Sequence, residues 1–317
     1  MKKHIYLDWN VIQHTKHKNP KFKGDEFAQF IEKAKKKYIF PASTIHLMDL
    51  SQGGTTKKHL EYVPEDLKYL SELSDNFFIE LDCNQEVKLS KKFIGKEFEE
   101  VSKYEEPTPT LQTLEFSYKV DINKMDKNDM FLDLIKKNNN VFDHTVANEF
   151  TKNLKKITTE PTEYKKFREQ TKIALKYIKK NETYFHENRL YLEKIQSFFE
   201  IIDINESEKL KKEYKKILSS FLSFQNKNFE MIRTLDLIKA SYLLLDFSPI
   251  FSEKIDKKNK PTNMQRDAFN LMLASKAEYY VTEDDNNYEK ANFIADVLNL
   301  DVKIKKMDEI RNSFNFI

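Results

Sequence analysis

Residues 5–10 read Ile-Tyr-Leu-Asp-Trp-Asn. A short apolar run closed by an aspartate predicts a β-strand whose end is marked by the acid at position 8. Two more such runs follow, Tyr38-Ile39-Phe40 and Phe77-Phe78-Ile79-Glu80-Leu81. Between them lie helical patterns. Asp25 to Lys37 sets Phe27, Phe30, Ile31 and Ala34 on one face, Ser43 caps a helix running to Gly53-Gly54, and Pro64 to Leu73 reads as a third. After Pro261 the alternation returns: a helix over 263–276, a strand over 278–282, a helix over 288–298 and a last strand over 301–304. Strands alternating with helices predict an α/β fold built on a parallel sheet.

From about 90 to 255 the pattern changes to long helices with hardly a strand signal: 164–180, 184–204, 206–224 and 229–247. The expected organisation is therefore one α/β domain, 1–95 and 256–317, interrupted by a mostly α-helical insertion, 96–255. Only four glycines occur, none beyond Gly95. This excludes the glycine-rich phosphate loops of nucleotide-binding proteins. One cysteine, Cys83, excludes an internal disulfide and any CxxC site and fits a cytoplasmic location. The first residues do not read as a signal peptide, and no run is apolar enough to span a membrane. Charge is balanced, 54 basic against 51 acidic side chains, so any basic surface must come from local segregation.

Acids carry the chemistry. Asp8 and Asp284 each stand where a strand stops, and in an open parallel sheet such positions meet in one crevice. Asp49 lies near the end of the helix after the second strand, and Asp267 near the start of the helix before Tyr279. Four clustered carboxylates repel unless a cation neutralises them. Mg²⁺ or Mn²⁺ prefers oxygen ligands and would leave room for phosphate. Metal-assisted phosphodiester hydrolysis is the reaction this supports.

Several blocks resemble those of PIN-domain nucleases, in the same order. Ile5 to Asn10 looks like the opening hhhDxN strand of that family, and Phe40 to Leu50 like its second strand and acidic helix. Asp267-Ala268-Phe269, Ala274 and Tyr280-Val281-Thr282-Glu283-Asp284 resemble its D…A…hhTxD block. Ala291 to Ala295 with Val302 to Ile304 resemble its closing helix and strand. The resemblance implies a PIN-like metal-dependent endoribonuclease leaving a 3′-hydroxyl and a 5′-phosphate, with RNA as partner. Asp8, Asp49, Asp267 and Asp284 match the acidic metal ligands. Asn10 and Thr282 match the polar residues supporting the first and last acids, and Asp285 could share or replace the role of Asp284. The second acid is usually Glu, so Asp49 is one methylene short, and the insertion has no counterpart in a minimal PIN domain. Bacterial relatives suggest a toxin or a defence effector, by analogy alone.

Each acid also has a structural reading as a turn former or helix cap, Asn10 as an N-cap, and Trp9 as core. Between 152 and 180, ten basic side chains face three acidic ones, with Tyr164, Phe167 and Tyr177 interleaved. Lys155, Lys156, Lys165, Lys166, Arg168, Lys172, Lys176, Lys179 and Lys180 are the candidate RNA contacts, or else a solvated helix face. Two rivals stand beside the nuclease. One is an inactive RNA- or protein-binding scaffold. The other is a phosphatase with Asp8 as nucleophile, a chemistry that wants an acid where Asn10 stands. A homo-oligomer and a protein inhibitor or activator are both left open.

Overall fold

The computed structural model describes residues 3–51, 57–103, 117–124, 132–180, 200–224, 232–256 and 259–314. Four strands, β1 (Lys3–Leu7), β2 (Tyr38–Ile39), β8 (Tyr279–Val281) and β9 (Lys303–Lys305), form a parallel sheet in the order β2-β1-β8-β9. A second sheet joins β3 (Ala42–Ser43), β4 (Phe77–Leu81) and β5 (Val87–Lys91), with β4 and β5 antiparallel. Only Phe40 and Pro41 separate β2 from β3, and proline has no N–H to continue a ladder. Helices Trp9–Lys16, Gly24–Ala34, Thr44–Ser51, Lys57–Ser74, Pro261–Ala274 and Asp285–Val297 connect and flank the strands. The fold is mixed α/β on a parallel sheet, as the alternation of patterns predicts.

Local chemistry explains these elements. All of β1 after Lys3 is buried, the signature of a parallel strand covered on both faces. Ile5 and Leu7 join Val11, Phe27, Phe30 and Phe40 in one apolar cluster, against which Trp9 packs half-buried. The Ser43 hydroxyl accepts from the His46 N–H at 3.2 Å, capping the helix it was expected to cap. Gly24 is required by close approach, because a Cβ there would lie 2.2 Å from the His14 carbonyl oxygen. Pro64 lies inside a helix that begins at Lys57, although proline reads as a first-turn residue. The edge strand β5 was not anticipated.

The chain divides into two compact units, one of residues 1–104, 172–253 and 264–317, the other of 105–171 and 254–263. This differs from the 1–95, 96–255 and 256–317 division expected from the change of pattern. Within the first unit, helices Ser207–Phe224 and Thr234–Leu245 pack on the sheet-flanking helix Asp285–Val297. Tyr214 meets Phe293 edge-on at 5.0 Å, and its hydroxyl donates to the Ser241 carbonyl at 3.0 Å. Their apolar stripes thus belong to the α/β core. The second unit holds an antiparallel pair, β6 (Ser117–Lys119) and β7 (Val141–Asp143), and the helices Leu132–Lys137 and His144–Thr159. The segment 184–199 lies outside the described residues. Among the described residues no helix is long and apolar enough to cross a membrane.

Candidate functional site

Side chains alternate along a strand, so Tyr6 and Asp8 share the face opposite Ile5 and Leu7. The β1–β8 register pairs Tyr6 with Tyr280 and Leu7 with Val281, and one step further brings Thr282 beside Asp8. The Thr282 hydroxyl donates to Asp8 Oδ2 at 2.8 Å. Asp8 Oδ1 accepts from the Trp9 N–H at 2.7 Å, which also caps the Trp9–Lys16 helix, and from Asn270 Nδ2 at 3.4 Å. Asp8 is only 5% exposed. Burial pushes its carboxyl up to about 6, against the Thr282 bond, and the charges of Asp49 and Asp284 push it further.

Asp267 stands three residues before Asn270 on the Pro261–Ala274 helix, the spacing that places two side chains on one face. Half-buried, it receives no hydrogen bond or ion pair among the described residues. Its carboxyl is held well above the ordinary range by burial first, then by Asp8, Glu253 and Asp284, while Lys290 opposes them. Lys290 is 1% exposed and Glu253 7%, and the two form a buried ion pair.

The other predicted residues are placed less uniformly. Asp49 accepts from Arg266 Nη1 at 2.8 Å. Burial raises its carboxyl, and the guanidinium opposes that shift. Asp284, exposed, caps the Asp285–Val297 helix by accepting from the Asn287 N–H at 2.9 Å, and its charge reaches both Asp8 and Asp267. Asp285 faces solvent, paired with Lys306 at 2.9 Å, which lowers its carboxyl. Asn10 is exposed on the Trp9–Lys16 helix and bonds no acid among the described residues; Asn270 is an asparagine that does reach the first acid. Thr282 supports that same first acid, while its oxygen takes the Asp284 N–H at 3.3 Å.

Whether these residues suit a divalent ion turns on donors and charge. The donors are carboxylate oxygens, the hard ligands of Mg²⁺ and Mn²⁺. Asp8 and Asp267 repel one another with no cation bonded to either among the described residues, so an ion would relieve the pair. Asp49 fits less well, since Arg266 already neutralises it. Among the described residues no three acidic, histidine or cysteine side chains converge as a metal-holding group. The fit therefore rests on two carboxylates, a number with which Mg²⁺ is commonly held, waters completing its shell.

Sequence reasoning missed the polar residues beneath the acids. Tyr6 donates to Asn270 Oδ1 at 2.7 Å and lies 2.8 Å from Ser43 Oγ. Tyr242 donates to Asn287 Oδ1, and Asn287 Nδ2 to the Tyr280 hydroxyl, both at 2.8 Å. Tyrosines inside apolar runs look like core. Asn270 carried a signal in its spacing from Asp267.

In the basic segment, Lys155, Lys156, Lys165, Lys166 and Lys176 are exposed, and Arg168 and Lys172 are half-buried. Lys166 pairs with Glu163 at 2.8 Å. Tyr164 is buried, 6.4 Å from the Phe167 ring, and so is no stacking platform for a base. The side chains of Tyr177, Lys179 and Lys180 lie outside the described residues. Comparison with family models, with curated proteins and with solved structures gives no match.

Proposed function

We propose that this chain is a Mg²⁺- or Mn²⁺-dependent endoribonuclease whose ion is held by Asp8 and Asp267. One observation carries the reading: two carboxylates from opposite ends of the sequence are brought within charge range at the carboxyl edge of a parallel sheet, with no cation bonded to either among the described residues. Bound there, the ion supplies an activated water and neutralises charge on the scissile phosphate. Thr282, the Trp9 N–H and Asn270 hold Asp8 in one orientation. Asp284 adds negative charge at the edge of the site, and Arg266 fixes Asp49. The lysines of helices His144–Thr159 and Pro161–Lys180 are proposed to bind RNA phosphates.

A second reading, a scaffold that binds RNA or protein without cleaving it, is favoured by the Arg266–Asp49 pair and by Asp284 serving as a helix cap. No comparable observation favours the aspartyl phosphatase. The test is cleavage of RNA by the purified full chain with Mn²⁺ and with chelator. Cleavage abolished by chelator and by Asp8→Asn supports the nuclease. RNA binding that survives Asp8→Asn/Asp267→Asn, with no cleavage by the wild type, supports the scaffold.

A further inference from the structure

Asp8 sits at the end of a hydrogen-bond chain whose direction is fixed. Tyr6 has one hydroxyl proton, and it goes to Asn270 Oδ1 at 2.7 Å. Ser43, 2.8 Å away, must then donate to the Tyr6 oxygen, while its own oxygen accepts from the His46 N–H. His46 Nε2 bonds the Leu7 carbonyl at 2.7 Å and so carries the ring proton. Its ring stacks on Tyr6 with centroids 5.1 Å apart, holding the phenol in place. With Oδ1 of Asn270 committed to Tyr6, the amide can present only its N–H₂ to Asp8.

A carboxylate offers about four acceptor directions. Trp9 N and Asn270 Nδ2 take two on Oδ1, and Thr282 takes one on Oδ2. We infer that Tyr6 and Asn270 are positioning residues: they fix the orientation of Asp8, so that its carboxylate, with one acceptor direction left open on Oδ2 among the described residues, would be held ready for the proposed ion. This rests on the proposed metal-dependent reading. It assigns a role to a buried strand tyrosine and to a helix amide that touch neither ion nor substrate. Without the Tyr6 hydroxyl the Asn270 amide is free to turn its carbonyl toward Asp8, and the carboxylate loses a donor and its orientation.

The experiment compares Tyr6→Phe and Asn270→Ala with Tyr214→Phe, which also removes a fully buried tyrosine hydroxyl but from a bond to the Ser241 carbonyl. Mn²⁺ affinity of the full chain is measured by calorimetry, the Asn270 side-chain amide resonances are followed without metal in the two tyrosine variants, and kcat and KM are measured on RNA. Tyr6→Phe and Asn270→Ala are expected to weaken Mn²⁺ binding about 10–100-fold. A matching fall in kcat is expected at unchanged KM, with Tyr214→Phe at the wild-type level in all three readouts. The Asn270 amide resonances are expected to move in Tyr6→Phe. Unmoved resonances, or Mn²⁺ affinity equal to wild type in both Tyr6→Phe and Asn270→Ala, overturn the positioning chain. A wild type that neither binds Mn²⁺ nor cleaves RNA overturns the nuclease reading instead, and the two failures are thereby told apart.

Discussion

Arg266 donates through Nη1 to Asp49 Oδ1 at 2.8 Å, so the second acid of the site is tied to a guanidinium carried one residue before the third acid. The side chains are 17% and 16% exposed, which makes this a shielded pair rather than a surface one. Asp49→Asn is therefore expected to reduce RNA cleavage by about 10–100-fold, the scale of a supporting group. Asp8→Asn and Asp267→Asn should reduce it to the metal-free level. Steady-state cleavage rates of the three variants at saturating Mn²⁺ check the ranking, and equal losses would place Asp49 on the ion.

Asp8 makes a pH prediction whose sign is fixed by its environment. Its carboxyl is raised from 3.8 to about 6, so the folded protein takes up a proton that the unfolded chain releases. Stability contributed by this group is present at low pH and lost as pH rises from about 4 to about 6. The shift is equivalent to about 3 kcal/mol. Metal-free Asp8→Asn should thus unfold at a higher temperature than wild type at pH 7.5, with the difference vanishing near pH 4. Calorimetry of the two proteins across that range measures it, and a variant less stable than wild type at pH 7.5 contradicts the prediction.

Glu253 and Lys290 are a buried pair that cannot be halved cheaply. Removing one partner leaves an uncompensated charge, at a cost of about 3–5 kcal/mol. Urea denaturation should show that loss for Lys290→Met. The double variant Lys290→Met/Glu253→Gln should recover most of it. Lys290 also opposes the upward shift of Asp267, so Lys290→Met should move that carboxyl higher still.

Lys155, Lys156, Lys165 and Lys166 are exposed on two successive helices. If each contacts one phosphate of single-stranded RNA, converting all four to Gln lowers the slope of log affinity against log salt by about 3. Titrations at several salt concentrations measure the slope. Cleavage at saturating RNA should be unaffected, and an unchanged slope would assign these lysines to solvent.

What could be read from the sequence follows the physics of each element. Asp8 and Thr282 were legible because each closes a short apolar run, and strand ends are where a parallel sheet gathers its polar groups. Asn10 is exposed on the first turn of its helix, and its spacing from Asp8 alone does not tell a supporting residue from a solvated one. Asn270 shares a helix face with Asp267, which spacing reveals, but the direction in which Tyr6 sets its amide is encoded by no spacing. The β4–β5 turn uses Gln85 at φ 61° with no glycine, so the usual hairpin signal was absent. Helices Ser207–Phe224 and Thr234–Leu245 have plain apolar stripes, which reveal that they are buried but not against what.

Asp8 and the Thr282 hydroxyl that holds it are separated by 274 positions in the sequence. During synthesis, β1 has neither β8 beside it nor Thr282 to donate until residue 282 has left the ribosome. Contacts that distant form late and slowly, because a very long loop must close first. The acidic rim consequently cannot assemble before Thr282 has been made, and any chemistry seated there waits on that distant strand.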